Sequence, residues 1–65
     1  MEIKLKVNQL IAEKGLVKRF VANKLEVSEN TLRNWDAGKS FPRLDQAVKL
    51  ADLLDCKITD LYDRL

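Results

Sequence analysis

The side chains best suited to bind a partner by hydrogen bonding lie together in one short segment. They are Ser28, Glu29, Asn30, Thr31, Arg33 and Asn34. Exposed helix faces are usually filled with Lys, Glu, Gln and Ala, because these residues are good helix formers. Ser, Thr and Asn are poorer choices, since their side chains compete for backbone hydrogen bonds. The composition of this segment therefore indicates a face kept for contacts outside the chain.

The apolar residues of the same segment predict the helix that carries these groups. Val27, Leu32 and Trp35 fit one helical stripe, which can turn toward a core. For Trp35 this position is favoured over the alternative, a platform on which bases stack. Ser28 is a good N-cap for a helix over residues 29–36, and Glu29 suits the dipole of its first turn. Ser28 and Glu29 can also contact a bound partner.

Four further helices are predicted from apolar spacing and helix-ending residues. They cover about residues 7–14, 17 or 18 to 25, 44–54 and a short piece around 58–62. Gly15 closes the first of them, and Gly38 and Pro42 interrupt the chain before the fourth. Ile3, Leu5 and Val7 alternate as in a short strand but also fit a helix, and we expect residues 2–5 to be extended or frayed. The inward stripe of the fourth helix is predicted to be Leu44, Ala47, Val48, Leu50, Ala51 and Leu54. Residues 1–65 thus form one compact all-α domain of five helices.

Composition limits the chemistry that this chain can perform. There is no histidine, and Cys56 is the only cysteine. Disulfide frameworks, zinc sites and Ser-His or Cys-His nucleophiles are therefore excluded. Cys56 is expected to be a small buried hydrophobe rather than a reactive thiol. Without a phosphate-binding loop or room for a deep pocket, we expect no enzyme activity, metal, cofactor or small-molecule ligand.

Charge is unevenly distributed along the chain. The net charge is +2, but residues 1–43 carry nine Lys/Arg and five acids, whereas residues 44–65 carry three Lys/Arg and five Asp. A basic first part and an acidic second part suit a protein that meets a polyanion with one side. No apolar run reaches the length of a membrane span and no signal peptide is evident, so we expect a cytoplasmic protein and no membrane partner.

The second and third predicted helices fit a helix-turn-helix unit. They are joined by about three residues between Leu25 and Ser28. Ala22 is small enough for a close helix crossing, while Val27, Leu32 and Trp35 can anchor the second helix of the unit. In such units that second helix lies in the DNA major groove.

The segment KRFVANKLEVSENTLRNWDAGKSFP resembles the helix-turn-helix of phage repressors and Cro proteins, the Xre-type regulators. The family pattern of Ala followed ten and thirteen residues later by hydrophobes is met by Ala22, Leu32 and Trp35. NWDAGKSFP is similar to the family's W-E-N-G-x-x-x-P, and AVKLADLL to its fourth helix. The resemblance spans about residues 7–62. It implies a five-helix, lambda-repressor-like DNA-binding domain whose helices two and three form the helix-turn-helix.

Four departures from the family pattern have physical consequences. Glu26 and Asp55 stand where the family has Gly; at positive φ, Glu26 would cost about 1 kcal/mol relative to Gly and Asp55 somewhat less. Lys18 replaces a polar residue that is often Gln. The family often pairs an Arg of helix one with the Glu of W-E-N-G. Those two positions hold Ile11 and Asp36 here, so this ion pair cannot form. Ala37 replaces the Asn of the family motif, which removes a possible phosphate or capping contact.

The resemblance also implies which side chains meet DNA. The base-reading residues are Glu29, Asn30, Arg33 and Asn34, and the backbone-binding residues are Lys18, Ser28, Thr31, Lys39, Ser40 and Arg43. Asn suits adenine, Arg suits guanine, and a carboxylate can accept from cytosine N4. The alternatives are plain surface roles for Asn30, Asn34, Lys18 and Arg43, and an ion pair of Arg33 with Glu29. Phe20 is expected either to cover the N-terminal segment or to face a partner.

The resulting hypothesis is a sequence-specific regulator of transcription that binds double-stranded DNA, most simply a repressor. We expect a weak homodimer on a pseudo-palindromic operator, with an interface formed by Leu53, Ile58, Leu61, Tyr62 and Leu65. Because no sensing domain follows the fifth helix, regulation is expected to depend on concentration, a partner or the DNA site. The alternatives are an antitoxin, an architectural DNA-binding component of a phage or mobile element, and a helical adapter that binds protein.

Overall fold

A computed structural model of the chain describes residues 2–65. Its elements, in order, are β1 (Ile3–Leu5), α1 (Val7–Glu13), α2 (Lys18–Leu25), α3 (Glu29–Asp36), α4 (Leu44–Leu53), a 3-10 helix (Ile58–Leu61) and β2 (Tyr62–Arg64). The four α-helices lie within one or two residues of their predicted positions. The expectation of an all-α, five-helix domain is wrong in two respects, because the fifth helix is a 3-10 turn and the described chain also contains a small sheet.

The sheet joins the two ends of the described chain. β1 and β2 pair in antiparallel fashion, with Ile3 opposite Arg64 and Leu5 opposite Tyr62. Beyond this ladder, the Leu65 amide donates to the Glu2 carbonyl at 3.0 Å. The extended conformation expected for residues 2–5 is confirmed, whereas their partner strand was not predicted.

The 3-10 helix stops after one turn for local reasons. Asp60 Oδ2 accepts a hydrogen bond from the Lys57 amide at 3.0 Å, which caps the start of the turn. The next residue after the turn, Tyr62, is already extended (φ −148°, ψ 159°) and enters β2. The chain therefore has no room to continue an α-helix through residue 62.

All four α-helices end in the same left-handed turn. The residues with positive φ are Gly15 (71°), Glu26 (59°), Gly38 (77°) and Asp55 (52°). In each case the following amide donates at 3.0 Å to a carbonyl five residues earlier, as from Val27 to Ala22. This is the Schellman arrangement, which satisfies carbonyls that the helix leaves unpaired. Glu26 and Asp55 thus keep the positive φ of the glycines that they replace, which is the condition for the cost described above.

α3 lies at the centre of the packing. It contacts α1, α2 and β1, and its Leu32 and Trp35 are 0% and 2% exposed. The remaining buried residues come from every other helix and from β1: Leu5, Val7, Ile11, Val21, Ala22, Leu25, Leu50, Ala51, Leu54 and Leu61. The helix that carries the candidate site is thus held from several sides.

The C-terminal half of α4 supplies its fully buried residues, and among the apolar residues of its first turns only Ala47 packs, half-buried, against the core. Leu50, Ala51 and Leu54 are buried as predicted, but Leu44 and Val48 are 76% and 44% exposed. The prediction that these two belong to the inward stripe is wrong. α4 packs on α2 and the 3-10 helix.

Candidate nucleic-acid interface

One side of α3 is apolar and buried, and the other presents polar groups to solvent. Ser28, Glu29, Asn30 and Arg33 are exposed, and Thr31 and Asn34 are half-buried. We call these six residues the polar face. Val27, Leu32 and Trp35 lie on the opposite side, packed against or within the core. The amphipathic arrangement expected from the sequence is confirmed, and it leaves the predicted base-reading side chains together on one surface.

Ser28 caps the start of α3. Its Oγ accepts a hydrogen bond from the Thr31 amide at 3.1 Å and lies 3.0 Å from Thr31 Oγ1. The predicted N-cap is confirmed. A helix start also carries amide groups without intrahelical acceptors, and these attract anions such as phosphate.

Two contacts organise the longer side chains of the polar face. Arg33 Nη1 donates to Asn30 Oδ1 at 3.4 Å, and Arg19 Nε, from α2, lies 3.8 Å from Glu29 Oε2. The alternative ion pair between Arg33 and Glu29 is wrong, because each of these groups has a different partner. Sequence reasoning missed Arg19, since no local spacing rule relates residues in different helices.

Asp36 fixes the far end of α3. Its Oδ1 accepts a hydrogen bond from the Val7 amide and its Oδ2 from the Asn8 amide, each at 2.9 Å. Lys6, the N-cap of α1, makes no side-chain capping bond. The carboxylate at the end of α3 therefore caps α1 in its place. This capping role of Asp36 was not predicted, because Asp36 and the helix that it caps are distant in sequence.

Basic and hydroxyl side chains flank the polar face. Lys18 begins α2, and Lys39, Ser40 and Arg43 lie in the loop between α3 and α4, all exposed. Arg43 Nε pairs with Asp45 Oδ1 at 3.3 Å, whereas Lys18 and Lys39 make no ion pair with any residue from 2 to 65. The positions of these side chains on either side of α3 suit contacts with the backbone of a duplex, a role that stays a prediction.

Phe20 lies on the surface of α2. Its side chain is 45% exposed, and Lys24 Nζ lies 5.6 Å from the ring centroid. The ring is not among the side chains packed against the core. Both alternatives for Phe20, covering the N-terminal segment and contacting a partner, stay predictions.

A second exposed surface lies beside the sheet. Two adjoining grooves of about 400 and 200 Å³ share Ile3 and Phe41 in their walls. Five of the apolar residues that line one or both and reach solvent are Ile3, Phe41, Ile58, Tyr62 and Leu65. We call these five residues the sheet-side surface. Phe41, 57% exposed, was not predicted to belong to an interface.

The predicted dimer residues divide on this structure. Ile58 and Leu65 are exposed, and Tyr62 and Leu53 are half-buried. Leu61 is 2% exposed and belongs to the core. Its prediction as an interface residue is wrong, because the 3-10 turn directs this side chain inward.

Cys56 is half-buried and packs against the core, as expected of a small hydrophobe. Burial raises the pKa of its thiol; the Asp60 and Asp55 carboxylates raise it further, and Lys14 opposes them. A raised pKa keeps the thiol protonated near neutral pH. The protonated form is a poor nucleophile.

In residues 2–65, no helix combines the length and apolar character needed to cross a membrane. Within the same range, no three His, Cys, Asp or Glu side chains are grouped so as to hold a metal ion.

Comparison with known proteins agrees with this geometry. Among curated proteins, none matches the chain at a significant level. The chain is similar to a crystal structure from Bacteroides fragilis, with a TM-score of 0.84 and 34% identity. That protein is described, without a proven function, as DNA-binding. The match covers 95% of this chain and 100% of that one. A model of the Cro/C1-type helix-turn-helix DNA-binding domain matches residues 6–64. The chain therefore belongs to the Cro/C1-type helix-turn-helix family of DNA-binding domains.

Proposed function

We propose that this protein is a sequence-specific regulator of transcription, acting as a repressor, that places α3 in the DNA major groove. The observation that carries the proposal is the polar face of α3. Its groups are exposed or, for Thr31 and Asn34, half-buried, and the contacts of its longer side chains are 3.4 Å or longer. Such weak contacts are readily exchanged for bonds to base edges. Glu29, Asn30, Arg33 and Asn34 are the residues that read the bases.

Contacts with phosphates hold the helix in register. Lys18, Ser28 and Thr31 bind the backbone near the start of α3, and Lys39, Ser40 and Arg43 bind it beyond the end of the helix. Such contacts position a protein without specifying sequence. Arg43 first releases Asp45, which costs little because both side chains are more than 70% exposed and exposed ion pairs are weak.

Two copies bind together on a pseudo-palindromic operator. The sheet-side surface supports this proposal, because it exposes Phe41, Ile58 and Leu65, and apolar groups of this kind associate in water. Leu53, which is half-buried and packs against the core, remains a candidate for the rim of the dimer interface. Phe41 lies in the same loop as Lys39 and Arg43, so a contact between copies would fix the neighbouring phosphate-binding side chains. Two-fold dimers of helix-turn-helix proteins bind half-sites about 10 base pairs apart.

Repression follows from occupancy. A dimer that fills two successive major grooves prevents another protein from using the same groove. The sign of regulation then depends on where the operator lies relative to a promoter.

Selection of bound sites from random duplexes tests the proposal. We expect enrichment of one sequence with two related half-sites, and tighter binding to it than to random DNA at a fixed salt concentration. Sedimentation of the complex should show two copies per site. Failure to enrich any sequence would contradict sequence-specific binding. One copy bound tightly to an asymmetric site would contradict the dimer alone.

A further inference from the structure

We propose that Arg19 is a positioning residue for base recognition, which holds the Glu29 carboxylate against a cytosine and ties it to the DNA backbone. This inference rests on the proposed function and names a base pair that α3 recognises. Its starting point is the ion pair in which Arg19 Nε lies 3.8 Å from Glu29 Oε2. Among residues 2–65, no other ion pair joins α2 to α3.

Electrostatics explains why Glu29 needs a cation. It is the only acidic side chain of the polar face, and that face is to approach a polyanion. An unpaired carboxylate would be repelled by the phosphates, and this repulsion acts within the Debye length of about 8–10 Å. The Arg19 charge offsets the repulsion, so the carboxylate can stay close to DNA.

The shape of the guanidinium allows Arg19 to serve two acceptors. It carries five N–H donors in a planar fork, and its closest approach to Glu29 is through Nε. The Arg19 side chain is 80% exposed, and the first helix of a helix-turn-helix crosses the DNA backbone. The terminal Nη groups are therefore available to a phosphate while Nε stays beside the carboxylate.

The chemistry of the carboxylate selects the base. An ionised carboxylate only accepts hydrogen bonds, so it needs a donor on the base edge. In the major groove, guanine offers two acceptors, thymine offers an acceptor and a methyl group, and adenine offers a donor next to an acceptor. Cytosine offers the N4 amino donor alone. The Arg19–Glu29 pair therefore fits a C·G pair with cytosine facing Glu29.

The test begins with the selected duplex and the position at which Glu29→Gln changes base preference. Binding is measured by fluorescence anisotropy on four duplexes that differ only in that base pair. The variants are Arg19→Ala, Arg19→Lys, Lys18→Ala and the double variant Arg19→Ala/Glu29→Gln. Lys18 is the matched control, because it adjoins Arg19 on the same helix but has no carboxylate partner in residues 2–65.

We expect the unchanged protein to prefer cytosine about tenfold or more. Arg19→Ala should abolish most of the preference for cytosine, whereas Lys18→Ala should weaken binding equally on all four duplexes. Arg19→Lys should retain part of the preference, since it keeps the charge but loses the fork. In the Glu29→Gln background, the loss of Arg19 should affect all four duplexes equally.

Three results would overturn the inference. Arg19→Ala could weaken binding equally on all four duplexes in the otherwise unchanged protein, which would make Arg19 a backbone contact only. Arg19→Ala could leave the preference intact. The preference at the Glu29-dependent position could be for a base other than cytosine. A protein that selects no site at all would instead contradict the proposed function, and the inference with it. Circular dichroism of each variant should show an unchanged fold, because the side chains of Lys18, Arg19 and Glu29 are exposed.

Discussion

The polar face of α3 and the sheet-side surface are both exposed, but they present opposite kinds of side chain. The polar face presents carboxylate, amide, hydroxyl and guanidinium groups above an apolar side that lies against or within the core. The sheet-side surface presents Phe41, Ile58 and Leu65, with exposed fractions of 57%, 38% and 76%. The polar groups form hydrogen bonds with water that DNA can replace, whereas the apolar groups gain free energy by leaving water.

This difference teaches how a chain of 65 residues can support two interfaces. In so small a domain, every buried side chain is needed for stability. The DNA-binding groups are therefore placed on helix positions that the core does not use. The apolar groups beside the sheet lie where the core has no further element to cover them.

The largest expected effect is on the free energy of unfolding, when a buried aromatic residue is removed rather than an exposed one. Trp35→Ala removes a 2% exposed ring beneath the polar face and should lower the free energy of unfolding by about 3–5 kcal/mol. Phe41→Ala, on the sheet-side surface, should lower it by less than about 1 kcal/mol. Urea denaturation measures both changes. Equal losses would show that Phe41 is part of the folding core and not of a separate surface.

The next effect concerns the polar face itself. Asn30→Ala or Asn34→Ala should weaken binding to the selected site by about 1–3 kcal/mol and binding to random DNA by little. Phe41→Ala provides the contrast, because it should leave the preference for the half-site intact and reduce the cooperativity between two copies. Titrations on full sites and on single half-sites distinguish these outcomes. Equal losses on selected and random DNA would exclude the two Asn residues from base reading.

Asp36 connects the two regions, and its removal tests that connection. The carboxylate joins the end of α3 to the start of α1, which directly follows β1 and Lys6. Asp36→Ala should lower the free energy of unfolding by about 0.5–2 kcal/mol, as for other N-caps. Asp45→Ala, which removes an exposed partner of Arg43, is the control and should cost less. Thermal denaturation of the two variants decides whether the cap matters.

The smallest expected effect has the opposite sign. Glu26 has a left-handed φ of 59° without the freedom of glycine, so Glu26→Gly should raise the free energy of unfolding by about 1 kcal/mol. Lys49→Gly, at an exposed helical position of α4, should lower it by a similar amount. Neither change touches the two surfaces, so DNA affinity should be unchanged. A destabilising Glu26→Gly would show that this side chain makes a favourable interaction.

Local signals explain what the sequence could predict. The four α-helices follow from apolar spacing, the Ser28 cap and Gly15. The outward position of Asn30 and Arg33 follows from the inward stripe of Leu32 and Trp35. Each of these inferences needs only residues within a few turns of one another.

The missed features depend on partners far away in the sequence. The pairing of β1 with β2, the cap that Asp36 provides and the contact of Arg19 with Glu29 each join separate elements. Leu44 fits the apolar stripe of α4 perfectly well, and nothing local shows that no neighbouring element covers the first turn of this helix. The 3-10 turn was predicted as a helix because Ile58 and Leu61 fit either helical period.

The pairing of Ile3 with Arg64 also affects the order in which the molecule opens. These two strands enclose all four helices in one chain loop, and closing so long a loop costs more entropy than forming the neighbouring helix pairs. The sheet should therefore form late in folding and separate first in native fluctuations. Amide protons of β1 and β2 should exchange with solvent through this partial opening, while that of Leu32 should await global unfolding. A second copy bound over the sheet would suppress the opening, so association would slow exchange at sites that the two copies do not touch.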